Sequence, residues 1–168
     1  IVAACVINAL PAAAQDIARA SFGDPTTRYD HGVLGDAVEW GSLTVGLADG
    51  TGRRIILPQA LVFEDTSPRI ADLDGDGQPE VIVVESHQSK GARLAVYGAS
   101  GRIAQTPFIG RKNRWLAPIG AADFTGNGRL EIAIGVTPHL SGSVQLLAYD
   151  NSRLTVIATA EGFTNHRI

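Results

Sequence analysis

The chain has 168 residues, enough for one modest domain with its own core; 45% hydrophobic and 18% charged residues are the proportions of an ordinary soluble globular protein. A formal net charge of −3, with the 14 lysines and arginines scattered, leaves no electrostatic footprint for nucleic acid or an anionic membrane. The densest basic stretch, Arg111-Lys112-Asn113-Arg114, is short and reads as a solvated loop.

Residues 1–14 are uncharged, small and apolar, and they end in Ala12-Ala13-Ala14 before Gln15-Asp16, an A-x-A type signal-peptidase site. The stretch is too short to span a bilayer. The sequence holds no methionine, so 1–14 is expected to be a truncated signal peptide and the protein to be periplasmic or secreted. Val2-Ala3-Ala4-Cys5 also has the form of a lipobox, which leaves lipidation at Cys5 as the alternative to cleavage after Ala14. Apolar sequence continuing past Cys5 favours cleavage. Cys5 is the single cysteine, so a cleaved chain has no disulfide and no thiol chemistry. Residues 15–28 are expected as a linker and 29–168 as the folded region.

Helical periodicity is absent beyond about residue 20, and glycine and proline are frequent, so the rest of the chain reads as short strands and turns. In the first unit Glu39 precedes a strand pair over 42–47 and 53–57, joined by Ala48-Asp49-Gly50-Thr51-Gly52. The second unit predicts strands over 69–72, 80–85, 93–97 and 102–106, with a tight turn at Gly98-Ala99-Ser100-Gly101. Its run Val81-Ile82-Val83-Val84 is β-branched throughout and reads as a buried strand. The third unit predicts strands over 119–123, 131–136, 143–149 and 154–160, turning at Asp150-Asn151-Ser152. Residues 162–168 read as the first strand of a further unit.

The chemistry is concentrated between the first two strands of the second unit, in Asp72-Leu73-Asp74-Gly75-Asp76-Gly77-Gln78-Pro79-Glu80. Carboxylates at positions 1, 3, 5 and 9 of a tight loop, with glycine at 4 and 6, form an oxygen cage for a hard divalent cation, and Ca²⁺ is the expected ion. Without a cation so many like charges in so short a span repel one another. Asp72, Asp74 and Asp76 are expected as side-chain ligands, Gln78 through its backbone carbonyl, and Glu80 directly or through water. A strand follows where an EF-hand would place a helix, and position 12 is Val83 and not glutamate.

Sliding the sequence by 51 residues lays Asp123-Phe124-Thr125-Gly126-Asn127-Gly128-Arg129-Leu130-Glu131 on this loop. Thr125 and Asn127 stand where two aspartates were, leaving Asp123 and Glu131 as the charged ligands and Arg129 with only its carbonyl to offer. A weak site or an unoccupied turn is expected there. In the first unit Glu39 aligns with Glu80 and Glu131, but His31, Val33 and Gly35 replace the aspartates, so no site is expected. Four-stranded units repeating about every 40–50 residues are the pattern of β-propeller blades. The expected fold is therefore all-β: a partial β-propeller of about three four-stranded blades with calcium-binding loops between strands, preceded by the truncated signal peptide.

Asp72 to Val83, and less strongly Asp123 to Ala133, resemble the FG-GAP and VCBS repeats of bacterial exported proteins and of integrin α-subunit propellers. The resemblance spans about 29–168 and implies calcium-stabilised blades linked to adhesion or extracellular assembly.

Nothing else in the chain converges on chemistry. His31, His87, His139 and His166 are far apart in sequence, and Ser67, Ser86 and Ser89 sit in no Gly-x-Ser-x-Gly elbow. Trp40 and Trp115 are expected to pack between blades. The reading is a non-enzymatic exported scaffold, a monomer when complete, with calcium as its cofactor and an unidentified protein or glycan ligand. The alternative is a hydrolase or lyase with its active site in the propeller channel or in further blades.

Overall fold

Val81, Ile82, Val83 and Val84 are all fully buried, although successive strand residues point to opposite faces. A strand apolar on both faces has to be covered from both sides. The computed structural model, which describes residues 16–140 and 142–163, shows what covers it. The expected leader over 1–14 lies outside the described residues.

The described residues form strands and no helix, so none is long and apolar enough to cross a membrane. The strands are β1 (Ile17–Thr26), β2 (Glu39–Leu47), β3 (Gly52–Ile56), β4 (Leu61–Phe63), β5 (Arg69–Ala71) and β6 (Glu80–His87). They continue with β7 (Gly91–Gly98), β8 (Gly101–Gln105), β9 (Leu116–Ala122), β10 (Glu131–Val136), β11 (Gly142–Asp150) and β12 (Arg153–Phe163). The eight strands of the second and third units lie where the sequence predicts them, with ends shifted by at most three residues. Both units are antiparallel meanders, β5-β6-β7-β8 and β9-β10-β11-β12. The turn between β11 and β12 holds Asn151 and Ser152 at φ of 49° and 61°, the left-handed pair that a two-residue type I′ hairpin requires.

Two sheets stand where three separate four-stranded blades were expected. The first unit does not close on itself: β2 pairs with β1 and β3, and β4 then bridges β2 to β6 through Trp40↔Phe63 and Phe63↔Glu85. The first two units thereby share one eight-stranded sheet, and β9–β12 make the second. The expected linker over 15–28 also needs correction, because β1 runs along β2 from Ile17↔Leu47 to Thr26↔Glu39. As an edge strand it keeps half of its residues exposed and only Ile17 buried, and tolerates Pro25, so it lacks the alternation that announces a half-buried strand. Gly162 and Phe163, expected to begin a further unit, instead prolong β12; 164–168 lie outside the described residues.

Two buried clusters flank β6 and β7. Ile82, Val84, Leu94 and Val96 pack with Leu116, Ile132, Ile134 and Leu147 of the second sheet. On the opposite face Val81, Val83, Ala95 and Tyr97 meet Leu43, Val45 and Phe63. Burying each such aliphatic side chain stabilises the fold by about 1.5–3 kcal/mol, so the middle unit is held from both sides. Trp115, expected to pack between repeats, is in the cluster between the sheets and donates its indole N–H to the Glu64 carbonyl at 3.1 Å. Trp40 is only half buried and stacks on Phe22.

A charged pair is also taken into the first sheet. Glu85 is fully buried and accepts two hydrogen bonds from Arg93, one from the Tyr97 hydroxyl and further contacts from Arg102. The Arg93 guanidinium lies 4.3 Å from the centre of the Phe108 ring. A buried carboxylate survives this way because several donors replace its water.

Candidate metal centre

The β5–β6 connection is a loop because its residues forbid anything else. Gly75 and Gly77 adopt φ of 76° and 85°, left-handed values that L side chains resist, and the chain curls back on itself there. Backbone N–H groups then turn inward. Asp72 accepts from Gly75 N at 2.8 Å and Gly77 N at 3.0 Å, Asp74 from Asp76 N at 3.3 Å, and Asp76 from Gln78 N at 2.7 Å. These bonds fix the aspartates before any ion arrives.

Three carboxylates converge. Asp72, Asp74 and Glu80 each present an oxygen within 4.8 Å of the others, and among the described residues this is the group of acidic or imidazole donors that does so. Asp76 is outside that trio, but it lines the same cleft of about 240 Å³ with Asp74, Gln78 and Glu80. Glu80 is 6% exposed and takes a single hydrogen bond, from Leu73 N at 2.9 Å. Burial pushes its carboxyl up to about 7, against the Leu73 N–H; Asp74, Asp76 and Asp72 add to the rise. An all-oxygen, net-negative set with one carboxylate short of donors fits a hard divalent cation. The same set is poor for thiophilic metals, since no sulfur or imidazole is present.

The far wall of the cleft is Tyr149, from β11 of the second sheet. It is 6% exposed, and its phenol is raised by burial first, against a hydrogen bond with the Ser152 side chain, and then by the charges of Glu80, Asp74 and Asp76. Leu73 is fully buried in the same apolar cluster as Tyr149, so the loop is anchored into the core between the sheets. Reading the sequence alone passes over Leu73 as filler between ligands and misses Tyr149 altogether. The available signal is the alignment of Tyr97 with Tyr149 at equivalent strand ends.

The second loop has the same backbone and a different economy of donors. Gly126 and Gly128 repeat the left-handed turn at φ of 71° and 84°, and Asp123 accepts from Asn127 N and Gly128 N. Glu131, however, accepts from Phe124 N, Thr125 N, the Thr125 hydroxyl and the Asn127 side-chain amide, at 2.9–3.2 Å. The two residues that replaced aspartates supply hydrogens to the buried glutamate in place of oxygens to an ion. Arg129 turns away to pair with Asp150 at 3.0 Å. Phe124, in the place of Leu73, is 51% exposed.

Glu39 is the third member of the series and has neither remedy. It is 1% exposed, and neither of its carboxylate oxygens has a hydrogen-bond partner among the described residues. Burial, then Glu64, Asp36 and Asp65, raise its carboxyl to about 8. Nearby, Glu64 bridges the Ser86 hydroxyl and His31 Nδ1. A serine, a carboxylate and a histidine therefore meet, but the carboxylate stands in the middle and Ser86 is fully buried, which is not the order that activates a nucleophile. His139 sits edge-on to His31 at 5.3 Å, whereas His87 faces Phe108, so His87 and His139 have different partners.

Residues 72–134 match the FG-GAP-like repeat. The matched FG-GAP-like segment begins at the first aspartate of the Asp72 loop and runs through the second loop into β10, taking in β6 to β9 between them. No curated protein and no solved structure matches the chain.

Proposed function

We propose that the chain is a calcium-binding repeat segment of an exported β-propeller that serves as a non-catalytic binding or adhesion scaffold. The observation that carries this reading is the convergence of Asp72, Asp74 and Glu80 within a segment matching the FG-GAP-like repeat. Calcium would be held by those three carboxylates, with Asp76 and the Gln78 carbonyl completing the shell and the Asp123 loop empty or weak. The ion offsets the mutual repulsion of the acids and fixes the β5–β6 turn, which carries Leu73 into the core. Two further features support a radial stack of blades: the successive meanders, and the covering of the middle unit on both faces. A leader over 1–14 and blade-like repeats suit the periplasm or the cell exterior, where a domain without disulfides gains from a bound ion.

Calorimetric titration of the 168-residue chain with CaCl₂ tests the metal, and screening the calcium-loaded protein against glycans and cell-surface proteins tests the scaffold. One dominant calcium event, abolished by Asp74→Asn, is expected, together with retention on a specific glycan or protein. Two equally tight events would overturn the ranking of the loops, and no event would end the calcium reading. Turnover on a panel of glycoside and ester substrates would replace the scaffold with the hydrolase.

A further inference from the structure

The cleft beside the Asp72 loop is built from two sheets. Asp74, Asp76 and Glu80 come from the β5–β6 connection and Ser100 from the β7–β8 turn, while Tyr149 arrives from β11 of the other sheet. Tyr149 is nearly as buried as Glu80, so its position is fixed by packing. Leu73 ties the two halves together: its N–H donates to Glu80 and its side chain lies in the cluster that holds Tyr149 and Leu147. Any shift of the loop that spreads the carboxylates must also move Leu73 against the second sheet. The second loop lacks this arrangement, because Phe124 points out to solvent.

We propose that Tyr149 is the cross-sheet member of the cation site, facing the ion's outer shell, and that loading the Asp72 loop clamps the second sheet onto the first. The inference rests on the calcium reading of that loop. A phenol both donates and accepts, so it can hydrogen-bond to ion-bound water or to a carboxylate that the ion has drawn inward. Without the ion the phenol faces uncompensated acids and the contact between sheets is correspondingly weaker.

Terbium(III), a hard oxygen-seeking ion whose emission is excited by an aromatic side chain close beside it, reads out both parts. The intact chain should bind Tb³⁺ and show aromatic-sensitised emission. Tyr149→Phe, which removes one oxygen and keeps the ring packing, should still bind by calorimetry, with about 3- to 10-fold lower affinity and less than half the emission. Amide exchange in β11 should slow on adding calcium to the wild type and change much less in the variant. Unchanged emission and unchanged affinity in Tyr149→Phe would overturn the cross-sheet role while leaving the loop a metal site. Absence of any Tb³⁺ or Ca²⁺ binding to the wild type, measured calorimetrically, would overturn the metal reading and this inference with it.

Discussion

Replacing Glu39 with glutamine should remove much of the alkaline sensitivity of the fold. The side chain is buried without a hydrogen-bond partner among the described residues, and its carboxyl is raised from 4.5 to about 8 by burial, then by Glu64, Asp36 and Asp65. A carboxyl whose folded value is raised binds its proton more tightly in the folded chain than in the unfolded one. Its contribution is complete below 4.5 and is lost as pH rises through about 8, so stability falls across that interval. A tenfold gain in proton affinity is worth about 1.4 kcal/mol, which sets a ceiling of about 3–4 kcal/mol between pH 5 and pH 8. Relaxation of the seam and entry of water lower that figure, and about 2 kcal/mol is the size to look for.

Glutamine has the shape of the protonated acid and cannot ionise. At pH 5 the variant should lie within about 1 kcal/mol of the wild type, since both bury a neutral polar group of the same size. At pH 8 it should be more stable by about 2 kcal/mol. Urea unfolding from pH 5 to 8 in saturating calcium measures this, and taking the difference between the two proteins cancels the contributions of other groups. The exception is Glu64, raised to about 7 by burial against the Ser86 hydroxyl: its charge acts on Glu39, so the two are coupled and its titration also changes in the variant. His31, beside Glu64, is lowered by burial and by Arg114, so it is mainly neutral above its ordinary range and does not restore charge balance. Parallel stability curves for Glu39→Gln and wild type would refute the argument, since an ionised Glu39 must then be compensated by a cation or by water.

Chelation of calcium should lower the melting temperature of the wild type by several degrees, because an ion at about 100 times its dissociation constant adds about 2.7 kcal/mol; in Asp74→Asn, EGTA should have little effect by scanning calorimetry. The double substitution Thr125→Asp with Asn127→Asp takes two donors from Glu131 and adds two charges. It should destabilise the chain by about 1–3 kcal/mol without calcium and create a second binding event in calorimetric titration. Arg93→Ala removes two hydrogen bonds from the buried Glu85 and the cation–π contact with Phe108, and should cost about 3 kcal/mol in urea unfolding.

What can be read directly from the chain is local. The Asp72 loop announces itself because its carboxylates, glycines and following β-branched strand all lie within a dozen residues, and the meanders because each turn joins neighbours in sequence. The features that escape are those made by distant pairing. β4 has three residues and no periodicity of its own, and it exists because Trp40 and Glu85, 45 positions apart (85 − 40), offer it two edges at once. β1 reads as linker because an exposed edge needs no apolar alternation. Tyr149 belongs to the cleft only once the second sheet is folded onto the first, and its alignment with Tyr97 marks a strand end without giving that contact.

Glu39, Glu80 and Glu131 stand at the heads of β2, β6 and β10, and all three are buried. Retaining an acid at such a position three times over requires that its charge be answered each time, and the chain answers it differently in each repeat. Four hydrogen bonds serve Glu131, whereas Glu80 has one hydrogen bond and two converging aspartates that add to the negative charge around it. Glu39 has no partner among the described residues, and burial raises its carboxyl to about 8, which favours its neutral form below that value. These are three answers to one desolvation problem: Glu131 needs nothing further, Glu80 would take a divalent ion on the proposed calcium reading, and Glu39 is raised to about 8. Loss of the loop aspartates in a repeat therefore does not free the glutamate to leave. It obliges the remaining residues either to donate hydrogens, as Thr125 and Asn127 do, or to keep the carboxyl neutral, and the first repeat has taken the second course at the seam where its strands join the next.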